Sequence, residues 1–179
     1  MIQKISGYWI QQLEEYQLLT YDKDVHQYGL EVMISTLIDF LLIIFIGCIC
    51  HHVFEALIFY VTFALIRKFS GGFHFDTYAP CILTHIFIWC GYLWVYPYIY
   101  RNVSMIVAFI SWIVFIQYVP VIHKNKMLNE QEQKRYRYIA MLLLLGYCLL
   151  MMTPIRQVIT YTIMSVCFLI MICMKNYEK

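Results

Sequence analysis

The chain has 179 residues, of which 62% are apolar and only 13% charged, with a formal net charge of +2 and a positive mean hydropathy. Soluble domains carry about 25% charged residues, so this composition excludes one, and so small a net charge gives no basic footprint for nucleic acid. The protein must be solvated by lipid, and its 16 Tyr, 12 Phe and 4 Trp supply rings suited to headgroup depth.

Residues 1–29 are polar and mixed in charge, with no compact apolar stretch before a small-residue cleavage site. No secretory signal peptide is therefore expected, and the N-terminus is expected in the cytosol. Within this segment Ile2, Ile5, Trp9, Leu13 and Tyr16 recur at steps of three and four, while Gln11, Gln12, Glu14 and Glu15 fall elsewhere on the wheel. That pattern predicts an amphipathic helix over 2–19, lying in the membrane interface or offering a docking surface to a subunit or peptide.

Spanning about 30 Å of hydrocarbon takes roughly 20 apolar residues as a helix. Six stretches qualify as candidate spans, at about 30–50, 53–66, 81–100, 103–120, 138–152 and 157–174. The second and fifth are short for a full crossing and are expected to be short or re-entrant. With both termini inside, the cytosolic segments hold Lys4, Lys23, Arg67, Lys68, Lys124, Lys126, Lys134, Arg135, Arg137, Lys175 and Lys179, and the outer turns only Arg101 and Arg156, out of 13 basic residues in all. Basic residues flanking a span stay on the cytosolic side, so segments 67–80 and 121–137 are expected to face the cytosol. There are seven cysteines. Cys48, Cys50, Cys90, Cys148, Cys167 and Cys173 fall in or beside apolar runs, where Cys acts as a small hydrophobe, and a disulfide framework is not expected.

The stretch Arg67-Lys68-Phe69-Ser70-Gly71-Gly72-Phe73-His74-Phe75-Asp76-Thr77-Tyr78-Ala79-Pro80-Cys81 is the most informative in the chain. Gly71-Gly72 lets the chain turn back and bring its amides close to a ligand. Pro80 suits the first turn of a helix, which puts Cys81 near a helix N-terminus, where the dipole and unpaired amides favour thiolate over thiol. On one continuous helix His74 and Cys81 would lie about 10 Å apart; the turn and the new helix start let the imidazole fold back to the sulfur as general base. The blander reading makes Cys81 a packing residue and His74 a solvated loop residue.

The same stretch resembles the signature of the accessory gene regulator protein B (AgrB) family, in which an Arg precedes Gly-Gly-x-His and a Cys follows seven residues later. Val119-Pro120-Val121 with His123-Lys124-Asn125-Lys126 resembles that family's second cytosolic loop, and the length and span pattern agree over nearly the whole chain. The resemblance implies a bacterial membrane cysteine endopeptidase of quorum sensing, with His74 and Cys81 at the catalytic positions. Its implied partner is an AgrD-like amphipathic propeptide with an acidic C-terminal tail. Cys81 would displace that tail to form a thioester, and an internal substrate Cys, or a Ser, would then close a thiolactone or lactone ring. A homodimer is implied on the same ground alone.

Other groups have weaker readings. His85, four residues after Cys81 and on the same helical face, is the rival base, although its depth makes a charged imidazolium costly. Asp39 and Glu55 lie inside predicted spans, and either could orient His74 or bind substrate, with Asp39 too deep for a third catalytic member. Asp76 is expected to cap the third predicted span or orient the imidazole. Arg67 and Lys68 suit an oxyanion or carboxylate, or serve topology alone. Lys134, Arg135 and Arg137 suit lipid headgroups or an acidic tail. Cys48, Cys50, His51 and His52 form a soft-ligand cluster best explained as a turn; no zincin motif and no Gly-x-Ser-x-Gly occurs, and neither metal nor cofactor is expected. The expectation is thus an all-α, polytopic integral membrane protein of about six transmembrane helices plus an N-terminal amphipathic helix, with residues 1–179 forming one membrane-embedded peptidase domain. A non-enzymatic channel or carrier with a hinge at Gly71-Gly72 is the alternative, disfavoured by the scarcity of intramembrane charge and the absence of repeated half-helices.

Overall fold

A computed structural model describes residues 2–16, 22–71, 77–121 and 129–177. Its elements are helices: α1 (Ile2–Glu15), α2 (Lys23–Ile49), α3 (Val53–Ser70), α4 (Tyr78–Val95), α5 (Arg101–Tyr118), α6 (Glu130–Leu150) and α7 (Arg156–Tyr177). A 3-10 turn at Tyr96–Tyr98, where Pro97 cannot continue a helical ladder, follows α4. The protein is an all-α membrane protein. Four stretches are long and apolar enough to cross a bilayer: Lys23–Ile49, Tyr78–Tyr98, Arg101–Tyr118 and Arg156–Lys175. The two short predicted spans are helices as well, but Glu55, Arg67 and Lys68 interrupt the apolar character of α3, and α6 opens on the charged run Glu130-Gln131-Glu132-Gln133-Lys134-Arg135.

The apolar stretch beginning at residue 30 understates α2, which starts at Lys23. Its first two turns are polar because they pack against α1 rather than lipid; Ser6 Oγ of α1 donates to the buried Glu31 at 3.1 Å, and the Lys23 ammonium meets Glu14 at 2.5 Å. Of the predicted 2–19, α1 covers Ile2–Glu15, residues 17–19 lie outside the described residues, and Ser6 and Ile10 are the buried side chains of the helix. Tyr8, Trp9 and Tyr16 remain exposed, an arrangement that leaves rings free for the headgroup region.

The centre of the bundle is α7. It packs against α3 and α5, with α4 and α6 touching it less extensively, and Val158, Ile159, Ile163, Val166, Ile170 and Cys173 on it are buried. Its hydroxyls do not break the helix, because Thr162 and Ser165 donate to carbonyls one turn back and Thr160 donates to Ser104 of α5 at 2.9 Å. By contrast α2 and α5 show rows of exposed Leu, Ile and Phe, including Leu37, Leu41, Phe45, Ile106, Phe109 and Ile113. Such rows would be an error facing water and are what lipid requires.

The helices alternate in direction, so chemistry collects at the ends. At one end α3 and α5 finish and α4 and α6 begin. There Phe69 of α3 meets Tyr136 of α6 with ring centroids 5.4 Å apart. At the other end Gln157 donates to the Tyr96 carbonyl at 3.1 Å, and the Arg101 guanidinium approaches the Met152 sulfur.

Candidate active site

Backbone pairing builds the floor of the site. The Val121 N–H donates to the Ser70 carbonyl at 2.9 Å, and Gly71 and Val121 form a parallel bridge. Gly71 has φ 72° and ψ −155°, a region essentially closed to residues with a Cβ. A Cβ there would also lie 2.1 Å from the Val121 carbonyl oxygen. The two segments expected to share a face of the membrane, the one after α3 and the one after α5, are therefore joined directly. Gly72, Phe73, His74, Phe75 and Asp76 lie outside the described residues, as do Lys124 and Lys126.

The helix α4 begins at Tyr78, with Thr77 preceding its first turn and Pro80 within it. Proline costs little there because the first amides of a helix have no partner within it. Cys81 follows directly, half-buried and in no disulfide. Arg67, in the last turn of α3, is close enough to Cys81 and to Cys173 of α7 for their charges to interact. Its guanidinium also sits 5.7 Å from the centre of the Phe63 ring, a cation–π arrangement that fixes the group at a largely apolar wall. Lys68 is exposed, and its ammonium lies over Phe69 at 5.6 Å.

Two polar rungs tie α4 to α2, one on either side of Cys81. In the upper rung Tyr78 OH donates to Glu31 Oε2 at 3.0 Å, while Ser6 and the Gln27 amide donate to Glu31 Oε1 at 3.1 and 3.2 Å. In the lower rung His85 Nδ1 and Asp39 Oδ2 are 2.5 Å apart, with both side chains largely buried. The eight residues from Glu31 to Asp39 and the seven from Tyr78 to His85 rise about 12 and about 10.5 Å along parallel helices, so the rungs are in register. Cys81 is held between them.

Sequence reasoning singled out Asp39 and His85 separately. The structure pairs them, which explains how both are accommodated at depth: an intramembrane ionisable group is tolerated when it has a partner. Asp39 is thus committed to His85. Glu31 was missed altogether; its signal is a lone carboxylate at the head of a long apolar run, on the face of α2 that α1 covers. Glu31→Ala would take the acceptor from the Tyr78 hydroxyl and the Gln27 amide, while Ser6 keeps the Gln3 carbonyl, and a buried unpaired group costs about 1–3 kcal/mol. The expected result is a fall in the thermal unfolding midpoint in detergent, with Tyr78→Phe costing less because it removes one partner of three.

The basic residues of α6 lie at this same end. Lys134, Arg135 and Arg137 are exposed, and Arg137 donates to the Ile116 carbonyl in the last turn of α5 at 2.6 Å. One of its donors thereby satisfies a helix C-terminus, and the residue as a whole stays exposed, as Lys134 and Arg135 do. At the opposite end His52 meets Glu55 at 3.6 Å, and among the described residues no group of three or more His, Cys, Asp or Glu side chains gathers around a metal-sized space.

Comparison with known proteins gives a consistent answer. An AgrB-like protein of Clostridium perfringens strain SM101 is 32% identical over 129 residues, covering 65% of this chain and 60% of that protein. An AgrB-like protein 2 of strain 13 is 31% identical over the same length and with the same coverage. The matched region therefore spans about 60% of the length of these relatives. No solved structure matches. The family model described as Accessory gene regulator B matches residues 2–175, nearly the whole chain, and the protein belongs to that family.

Proposed function

We propose that this protein is a membrane cysteine endopeptidase that matures a quorum-sensing propeptide, with Cys81 as nucleophile and His74 as its base. The observation that carries the reading is the placement of Cys81: a half-buried thiol in the first turns of α4, within reach of the Arg67 charge. A helix N-terminus and a neighbouring guanidinium both favour the thiolate, and the thiolate is the nucleophile. His74, seven residues before Cys81, is one strap of chain away from it.

In the proposed reaction the Cys81 thiolate attacks a peptide carbonyl near the C-terminus of the propeptide. The C–N bond breaks, His74 delivers the thiol proton to the leaving amine, and the acidic tail departs. The remainder is held as a thioester on Cys81. An internal Cys of the substrate then attacks that carbonyl, the bond to Cys81 breaks, and a thiolactone leaves with the enzyme thiol restored. The second exchange swaps one thioester for another, so its cost is ring closure; the first, from amide to thioester, is uphill and calls for a site that excludes water.

The propeptide is proposed to lie with its amphipathic segment in the interface and its acidic tail against Lys134, Arg135 and Arg137, with Gly71, Gly72 and Arg67 lining the reacting bond. Lys68 and Asp76 would complete the rim. Described basic residues cluster at the Cys81 end, with Arg101 and Arg156 at the other, which supports a bacterial cell membrane orientation with the termini and the site facing the cytosol. The working unit is proposed to be a homodimer, as the family resemblance implies.

Reversing Lys134, Arg135 and Arg137 to Glu is expected to raise the KM for the propeptide at least tenfold at low salt, about 1.4 kcal/mol, with kcat little changed. Added salt should narrow the gap, since exposed charges are screened. The test of the function itself uses the purified protein in vesicles and a short synthetic propeptide with an amphipathic N-terminal helix, an internal Cys and an acidic C-terminal tail. Release of the C-terminal tail by the wild type with no other protein present is the predicted result. An intact propeptide in the presence of folded protein would contradict the proposal.

A further inference from the structure

The lower rung leaves a reactive atom unused. Asp39 Oδ2 bonds His85 Nδ1, while His85 Nε2, Asp39 Oδ1 and Trp89 Nε1 are buried with no hydrogen-bond partner. In a neutral imidazole the carboxylate takes the Nδ1–H, so Nε2 carries the lone pair and can only accept. This is the electronic arrangement of a general base with its orienting acid. The ring lies against Phe63 at 4.2 Å, Phe59 at 5.3 Å and Tyr60 at 5.6 Å, and the residue is 8% exposed.

Position links this base to the nucleophile. Residues 81 and 85 share a face of α4, and helical side chains lean toward the N-terminus, so the imidazole leans over the turn that carries Cys81. Phe63, which touches His85, also lies under Arg67, whose charge Cys81 feels. Yet Nε2 makes no bond to the resting thiol. It is a base in waiting beside the nucleophile, not engaged with it.

We propose that the Asp39–His85 pair is the general base of the second step, taking the proton from the substrate thiol that displaces Cys81. His85 Nε2 accepts that proton, the substrate sulfur bonds to the thioester carbonyl carbon, and the bond from carbon to Cys81 Sγ breaks. Cys81 departs as a thiolate and receives the proton back from His85, so no further reactant is needed. The pairing also explains selectivity between ring closure and hydrolysis. A thiol ionises near pH 8.5 and water only near 15.7, so the same imidazole deprotonates the thiol far more readily than water, and the rings around it leave little room for water.

This inference rests on Cys81 as nucleophile and is tested separately from it. Wild type, Cys81→Ala, His85→Ala and Asp39→Asn are incubated in vesicles with the propeptide, and tail release and cyclic product are followed by mass spectrometry. Asp39→Asn keeps the shape of the pair but donates to Nδ1, which moves the imidazole proton to Nε2 and abolishes the base. With enzyme in excess, so that each molecule turns over once, both rung variants should release one tail per enzyme with wild-type kinetics and then form cyclic product about 10²-fold more slowly, within the range for loss of a general base, with acyl-enzyme accumulating. A propeptide whose internal Cys is replaced by selenocysteine, ionised at neutral pH and needing no base, should cyclise normally in both variants. Unchanged cyclisation in Asp39→Asn, a first-turnover tail release slowed as much as cyclisation, or failure of the selenol to rescue would each overturn the proposal. Tail release persisting in Cys81→Ala would instead sink the nucleophile assignment.

Discussion

Cys81→Ala is expected to abolish tail release, by about 10⁴-fold or more, a loss of the size seen when a catalytic nucleophile is removed. The basis is chemical: no other described cysteine combines exposure, a helix N-terminus and a neighbouring guanidinium. Cys167 and Cys173 are buried in α7, and Cys48 and Cys50 lie at the far end of α2. The change is small in volume at a half-buried position, so folding should survive, and an unchanged unfolding midpoint separates lost chemistry from lost structure. Cys81→Ser keeps the shape but replaces a readily ionised thiol by a hydroxyl, and should be nearly as inactive. His74→Ala should match it if His74 is the base that the spacing proposes, and initial rates of tail release measured side by side decide this.

Gly71→Ala is expected to have the largest structural effect of a methyl added at any described glycine. The backbone at φ 72° and ψ −155° costs about 1–3 kcal/mol with a side chain present. The new methyl would in addition strike the Val121 carbonyl, so the bridge must open. Unlike a cavity in the core, this damage falls on the junction between the segment after α3 and the segment after α5, and both thermal stability and tail release should drop. Gly7→Ala is the control, since nothing lies within 4 Å of that position, and in a helix Ala exceeds Gly by about 1 kcal/mol. Unfolding curves of the two variants should move in opposite directions.

Much of the architecture was legible because lipid imposes simple rules. Long apolar runs gave α2, α4, α5 and α7, and the basic residues sorted the ends of the helices before any contact was known. The Gly-Gly bend followed by Pro80 announced a helix starting just before Cys81, and α4 starts there. What stayed hidden depends on pairs. Nothing in one-dimensional spacing tells that Asp39 reaches His85 across two helices, or that Glu31 gathers Ser6, Gln27 and Tyr78. A polar residue in an apolar run signals that a partner exists and not which one it is. The polar start of α2 was hidden for a related reason, since hydropathy finds lipid-facing turns and α1 takes lipid's place there. His74 and Asp76 lie outside the described residues, so their roles stand on sequence.

The central claim is that the substrate is carried as a thioester on Cys81. The measurement that addresses it most directly is the intact mass of the protein after brief exposure to a propeptide whose internal Cys has been changed to Ala, so that ring closure cannot follow. The predicted result is a mass increase equal to the propeptide minus its tail, located on Cys81 by peptide mapping and removed by hydroxylamine at neutral pH. Tail release with no adduct, or an adduct that persists in Cys81→Ala, would contradict it.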